Sequence, residues 1–427
     1  MNSTQNKNYT LPIVMMILLF GMISFVTNLA APMGVVLKNQ FGVSNFLGML
    51  GNFANFAAYA VMGIPAGKLL EKIGYKKTAL LAVLIGFTGV GVQVLSGVAA
   101  SFVVYLIGAF IAGFSMCMLN TVVNPMLNTL GGGGNKGNQL IQIGGSFNSL
   151  MGTLVPILVG SLVGEVTKAN ITDVYPVMYM AMGIFALVGI VLFFVNIPEP
   201  HVVKKDANLA KSKHSAWSFR HFVLGAIAIG IYVGVEVGIP GTMMLFIADP
   251  ATGITNGAAS AGVVAGMYWL LMLVGRFVGA SIGAKVSSKA MLTFASGLGI
   301  VLVAAAIFSP VSTLISVPVL QTNPISFVTT EVPINALFLI LCGLCTSIMW
   351  GGIFNLAVEG LGKYVALASG IFMMMVFGGG VLPLVQNAVA DKAGYLASYW
   401  IPFLGFAYLL FYALVGSKNV NKDIPVD

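Results

Sequence analysis

Asn120, Asn124 and Asn128 recur every fourth residue within 118–148, which reads MLNTVVNPMLNTLGGGGNKGNQLIQIGGSFN. On a helix this spacing keeps the three amides on nearly one face, drifting by about 40° per step. Pro125 lies in the same stretch and has no N–H, so the carbonyl of Thr121 loses its helical partner. An amide offers both donors and acceptors without a charge to bury. A face of amides beside an open carbonyl suits a neutral polar solute. In lipid these groups are costly unless they face protein or a wet cavity.

Two charges stand in apolar surroundings. Glu236 is the acidic residue deep in an apolar run, and Arg276 is the basic one. A charge at the centre of a bilayer costs roughly 2.5–3.5 kcal/mol on insertion scales. Glu236 can titrate or bind a cation, with Arg276 beside it in a coupling role. The plainer alternative is a structural pair between the two. Glu359, next to Lys363, reads as a gate or interface charge near a helix end.

The elements that position these residues must be membrane helices. Of 427 residues, 58% are hydrophobic and only 7% charged, and the mean hydropathy is +0.98. A soluble domain carries roughly 25% charged residues. The apolar runs are long and do not alternate, which excludes a transmembrane β-barrel. The run from Leu11 to Val26 outlasts the roughly 7–15 residues of a signal-peptide core, so it reads as the first span. A net charge of +8 could suggest nucleic acid, but the bases sit in short loops between spans. Cys117, Cys342 and Cys345 lie inside apolar runs away from any histidine and read as packing residues. Gly131-Gly-Gly-Gly-Asn-Lys136 lacks the ending of a phosphate cradle and reads as a turn. No nucleophile–base set or metal cluster emerges, so neither enzyme activity nor a cofactor is expected.

Spans are predicted at 11–36, 45–70, 78–96, 101–129, 139–164 and 176–196. After a linker come 219–247, 258–283, 290–309, 334–358, 365–389 and 395–416. The chain therefore reads as an all-α polytopic membrane protein with twelve helices. It divides into a six-helix bundle at 1–196, a cytoplasmic linker at 197–217 and a second bundle at 218–427. The linker carries Lys204, Lys205, Lys211 and Lys213. With both termini cytoplasmic, every basic residue except Lys38, Lys168, Lys392 and Arg276 falls on the cytoplasmic side. The segment 309–333 reads as a packed excursion on the other side, with a hairpin as the alternative. Gly63 and Gly67, ahead of Lys72, echo Gly275 and Gly279, ahead of Lys285. Glycines four apart permit close helix contact, and a repeated pattern in two halves marks a transporter.

This layout, with 63–77 joining the second and third helices, resembles the major facilitator superfamily. Within it, Asn124-Pro125-Met-Leu-Asn-Thr-Leu130-Gly131 and Ser146-Phe147-Asn148-Ser149 resemble the fucose–galactose–glucose:proton symporter family. So do Tyr232-Val-Gly-Val-Glu236-Val, Gly275-Arg276-Phe277 and Phe354-Asn-Leu…Leu361-Gly362. The resemblance implies uptake of a sugar, a hexose or related monosaccharide, driven by a cation gradient across the cell (inner) membrane. Proton-coupled members carry an acidic residue on the first helix, where this chain has Ala31, and a glutamate before Asn-Pro, where it has Asn120. Both usual coupling carboxylates are therefore replaced.

With a sugar in view, Asn120, Asn124, Asn148, Gln142, Asn28 and Asn355 become candidate partners for its hydroxyls, while Asn128 reads as structural. Asn52 and Asn55 add polar positions to the second helix. Tyr268, Trp269 and Trp350 could cover the C–H face of a sugar ring. The expectation is a monomeric symporter working by alternating access. Its coupling ion is a proton at Glu236, or else sodium. An uncoupled sugar carrier and an exporter of another small polar metabolite are the alternatives.

Overall fold

Long apolar runs become helices because a helix satisfies its backbone groups within one segment. The computed structural model describes residues 9–42, 50–163, 170–199, 214–249, 257–322 and 325–426. Its helices are α1 (Thr10–Phe41), α2 (Leu50–Val98), α3 (Phe102–Leu130), α4 (Gly134–Val163) and α5 (Tyr175–Phe194). After the linker come α6 (Arg220–Ala248), α7 (Gly257–Ile282) and α8 (Ser288–Phe308). A hairpin of β1 (Leu314–Thr322) and β2 (Ile325–Pro333) precedes α9 (Ile334–Thr346) and α10 (Met349–Val358). Then follow α11 (Val365–Met375), α12 (Gly378–Ala393), α13 (Tyr395–Ser398) and α14 (Trp400–Phe411). Lys7, Lys168 and the linker lysines 204, 205, 211 and 213 lie outside the described residues, as do the side chains of Ala31, Lys38 and Asn52.

Among the described residues, ten segments are long and apolar enough to cross a bilayer, fewer than the twelve expected. The longest, Phe53–Val98, has 46 residues and is broken at Gly74. Gly74 has φ 85° and ψ 175°, a conformation that a side chain would disfavour. The Glu199 carboxylate fills the space a β-carbon would take. It accepts from the N–H groups of Tyr75 at 2.6 Å and Lys76 at 3.1 Å. The start of the linker thereby caps the second arm of α2, where the helix dipole favours an anion.

The hairpin adds two strands to an otherwise helical chain and corrects the reading of 309–333 as a packed excursion in favour of its alternative. Its register sets Val319 opposite Val328 and Leu320 opposite Phe327. Val317, Val319 and Val332 are buried on one face, while Leu314 and Phe327 are exposed on the other. β1 packs against α7. The valine-rich alternation is a strand signal. Pro318 does not break it, because a two-stranded sheet is all edge and an edge tolerates proline.

α1 lies along α4, and α3 packs against α2. In the second half, α6 packs on α7, α10 and α12. The two sets meet along α4–α7 and α2–α11. Gly63 and Gly67 form the second seam. A β-carbon on Gly63 would stand 2.5 Å from the Met374 nitrogen and 2.6 Å from the Gly370 oxygen. One on Gly67 would meet the Gly370 Cα at 3.1 Å. The backbones themselves touch here. Gly275 and Gly279, their counterparts in sequence, instead seat α7 on Ser347 and Ile348 within its own half. Lys72 and Glu359 are exposed.

Further bonds between the halves gather at the end that carries the lysine-rich turns. Asn128 Nδ2 donates to Asn355 Oδ1 at 2.8 Å, and Gln139 Nε2 to the Ala280 carbonyl at 2.9 Å. Gln142 Nε2 donates to the Ile348 carbonyl at 2.8 Å. At the other end the seam includes Phe53 edge-on to Phe377, with ring centroids 5.9 Å apart.

Forcing a methyl into the Gly63 seam should cost about 1–3 kcal/mol, enough to shift a two-state balance roughly 5–150-fold. Asn138 is fully buried, with its Oδ1 against Gly351 of the other half. Asn138→Cys should stay protected from a membrane-impermeant thiol reagent. Adding Gly63→Ala should make it label severalfold faster. Equal labelling rates would contradict the seam.

Candidate functional site

The amide helix α3 has only its upper rung in the cavity. Asn120 Nδ2 donates to the Tyr59 hydroxyl at 3.0 Å and to the Met116 carbonyl at 3.1 Å. Asn124 Nδ2 donates to the Asn120 carbonyl at 2.8 Å, and Asn124 Oδ1 accepts the indole N–H of Trp350 at 2.8 Å. Asn128 reaches Asn355, whose own Nδ2 donates to Ser288 Oγ at 2.9 Å. The ladder thus passes from the cavity wall, through a bond that fixes Trp350, to a bond that joins the two halves.

A cavity of about 180 Å³ lies between the halves. That is far more than the roughly 10–15 Å³ that admits one water. It is less than the roughly 300–1,000 Å³ of drug-sized sites. Of the expected residues, Asn28, Asn120, Gln142, Asn148, Glu236, Arg276 and Trp350 line it. Three candidates do not. Asn124 and Asn355 stand behind the wall with the partners described above. Tyr268 is buried and bonded to Thr346 Oγ1 at 2.8 Å, while its neighbour Trp269 takes the place on the wall. Adjacent helix positions differ by about 100° in direction, so the pair could not both face inward. Gly63, Gly67, Lys72 and Glu359 also lie away from the cavity.

Ser24, Tyr59 and Ser149 line the cavity without having been singled out as ligand contacts. Ser24 sits one turn before Asn28, and that spacing was the available signal. Asn28 Nδ2 donates to the Ser24 carbonyl at 2.9 Å. Trp350 presents an aromatic surface beside Tyr232 and Phe372, at centroid distances of 6.3 and 6.0 Å.

The two charges meet on the far wall. Arg276 Nη2 lies 3.3 Å from Glu236 Oε1, which also accepts the Tyr232 hydroxyl at 2.7 Å. Tyr232 and Glu236 are four apart on α6 and so share a face. Arg276 donates further from Nη1 to the Gly145 carbonyl at 2.7 Å and from Nε to the Ser347 carbonyl at 3.3 Å. Nη1 is 3.5 Å from Asn148 Oδ1. One planar guanidinium therefore ties α6 and the α9–α10 junction to α4 of the other half, which a lysine's single nitrogen could not do.

Removing one member of a buried pair typically costs about 3–5 kcal/mol, because the other charge is left alone. Arg276→Met should therefore lower the thermal midpoint in detergent sharply. Arg276→Met with Glu236→Leu should recover part of that loss. A double variant destabilised by the full sum of the single effects would contradict this pairing.

A family model described as Major Facilitator Superfamily matches residues 13–384. The chain is 29% identical to the glucose/galactose transporter of Brucella abortus biovar 1 (strain 9-941), over 98% of this chain and 97% of that protein. It is also 29% identical to the putative glucose/galactose transporter of Helicobacter pylori (strain ATCC 700392 / 26695), over 98% and 100% of the two chains. The L-fucose-proton symporter of Escherichia coli (strain K12) is 24% identical over 98% of this chain and 96% of that protein. Among solved structures, the transporter FucP in its outward conformation superposes with a TM-score of 0.80 at 20% identity. It covers 96% of this chain and all of that one. Model, fold and relatives agree along nearly the whole length: this multi-pass membrane protein belongs to the Major Facilitator Superfamily.

Proposed function

We propose that this chain imports a hexose or a related monosaccharide by cation symport across the cell (inner) membrane. The observation that carries the reading is the cavity between the halves. It joins neutral amides, at Asn28, Asn120, Gln142 and Asn148, and hydroxyls, at Ser24, Tyr59 and Ser149, to the ring of Trp350. That pairing suits a ring with hydroxyls on its edge and C–H bonds on its face. Its volume, about 180 Å³, favours a compact solute over the bulky, greasy cargo of a drug exporter. The names of the relatives, glucose/galactose transporters and L-fucose-proton symporters, support the same substrate class.

The transporter would cross the membrane twelve times, in bundles at 1–196 and 218–427, as a monomer with both termini in the cytoplasm. The bundles would rock about the midplane site. The bonds from Asn128, Gln139 and Gln142 across to the second bundle would then close the cytoplasmic end. Opening that end requires those bonds and the Gly63–Gly370 seam to part.

The coupling cation has two candidate routes. A proton would act at Glu236, whose neutralisation would remove the charge partner of Arg276 and leave the guanidinium its bonds to the Ser347 and Gly145 carbonyls. Sodium would need uncharged oxygens instead, since this chain has Asn120 where related symporters carry a glutamate.

Reconstituted vesicles test the proposal. Labelled glucose or galactose should exchange by counterflow, and an imposed cation gradient should accumulate it. Absence of counterflow with every hexose would overturn the substrate. If the ion is a proton, Glu236→Gln should keep counterflow and lose pH-driven accumulation. Wild-type pH-driven accumulation in that variant would remove Glu236 from the coupling route.

A further inference from the structure

A tyrosine hydroxyl has one hydrogen to give and lone pairs to receive. Tyr59 stands on α2 at the cavity wall, 6% exposed, one turn after Phe56 on the same face. Its oxygen lies 3.0 Å from Asn120 Nδ2, and that nitrogen also lies 3.1 Å from the Met116 carbonyl. A backbone carbonyl only accepts, so the amide atom facing it is the nitrogen and not the oxygen. An amide nitrogen donates two hydrogens. One goes to Met116 and the other to Tyr59. The Tyr59 oxygen is therefore the acceptor in its bond with Asn120. Among the described residues, no group accepts the hydrogen that the hydroxyl still carries.

Several other donors on this wall are already spent. The Trp350 indole N–H goes to Asn124 Oδ1 at 2.8 Å. Asn28 Nδ2 goes to the Ser24 carbonyl at 2.9 Å and to Ser24 Oγ at 3.0 Å. Ser24 Oγ in turn donates to the Asn148 carbonyl. Gln142 Nε2 donates to the Ile348 carbonyl at 2.8 Å. The Arg276 guanidinium is divided among Glu236, Gly145 and Ser347. Ser149 Oγ has no partner and can serve as donor or acceptor. Oxygens such as Asn28 Oδ1 can take hydrogens from a sugar's hydroxyls. Those hydroxyls also bring lone pairs, and each lone pair removed from water asks for a donor. The Tyr59 hydrogen is such a donor, on an oxygen that Asn120 holds in place.

We propose that Tyr59 is a specificity-determining residue, donating its hydroxyl hydrogen to one hydroxyl oxygen of the bound sugar, with Asn120 as its positioning residue. The inference rests on the sugar reading and names a group that tells one sugar from another. Asn120 does this work because it is an amide. It gives a hydrogen to Tyr59 and so leaves the phenol's own hydrogen free for the solute. A carboxylate at the same place accepts only, and would claim that hydrogen. The bond would then run the other way, and the solute would meet a phenol oxygen with nothing to give. A sugar that lacks the matching hydroxyl, or turns it away, leaves the Tyr59 hydrogen buried without an acceptor. A site built to bond a hydroxyl discriminates in this way, through the group left unpaired. Tyr59 and Trp350 line one cavity of about 180 Å³, so a single sugar can meet both.

The test is competition on the purified protein, with labelled glucose or galactose displaced by its monodeoxy analogues, one for each hydroxyl. Removing the hydroxyl that Tyr59 meets should weaken competition by about tenfold relative to the parent sugar. In Tyr59→Phe that difference should vanish for the same hydroxyl, while differences at the other hydroxyls stay as in the wild type. Asn120→Asp keeps the phenol but redirects its hydrogen, and should erase the difference at that same hydroxyl. A purely structural role would weaken the parent sugar and all its analogues alike. That uniform loss would overturn the assignment, and so would wild-type discrimination at every hydroxyl in Tyr59→Phe. Either result, with the parent sugar still bound by the wild type, leaves the sugar reading intact and removes Tyr59 from it. Absence of binding by every hexose to the wild type removes both.

Discussion

Inside hydrocarbon, a carbonyl, amide or charge without a partner costs several kcal/mol, because no water can replace what is missing. That constraint arranges the interior of this chain. Its polar groups have no surface to retreat to, so they bond back into their own helix, as Thr121 does to the Cys117 carbonyl, meet another element, as Asn120 meets Tyr59, or face the cavity. Arg276 shows the result most clearly. Its guanidinium reaches Glu236, Ser347 and Gly145, and so binds three elements and both halves through one planar group. The amide helix obeys the same rule, with Asn124 and Asn128 each satisfied from the opposite half.

The same groups that stabilise this arrangement must be exchanged when it changes. Outside the Arg276 network, the polar bonds described between the halves join one side chain to one partner at a time, and the Gly63–Gly370 seam is backbone on backbone. Glycine contacts give close van der Waals packing without side chains that must be disentangled. A pair of rigid bundles joined this way can separate at one end while the other closes, which is what a site reached from alternate sides demands. Trp350 sits where the cavity meets the interface between the halves. Its ring lines the cavity, and its N–H is held by Asn124 across the interface. Cavity wall and interface contact therefore meet in one side chain.

Much of this was legible in the residues. Apolar runs marked the helices, and the amide spacing marked the helix that matters. Glu236 and Arg276 stood out because charge in such runs is rare. What the spacing could not reveal was direction. Which of Tyr268 and Trp269 faces inward is a matter of about 100° of rotation, set by Thr346 on another helix. That Asn124 would hold an indole depended on Trp350, 226 residues away. The hairpin stood only as the alternative for 309–333, because prolines such as Pro318 suggest loop, although an edge strand accepts proline at no cost to a ladder.

The central claim is that a monosaccharide binds in the cavity against Trp350. Equilibrium titration of intrinsic fluorescence tests it most directly, since the chain has only four tryptophans. Glucose or galactose should give a saturable change that is lost in Trp350→Phe and kept when Trp217 and Trp400, both outside the cavity, are replaced by phenylalanine. No saturable change with any hexose, or a full signal in Trp350→Phe, would contradict the account.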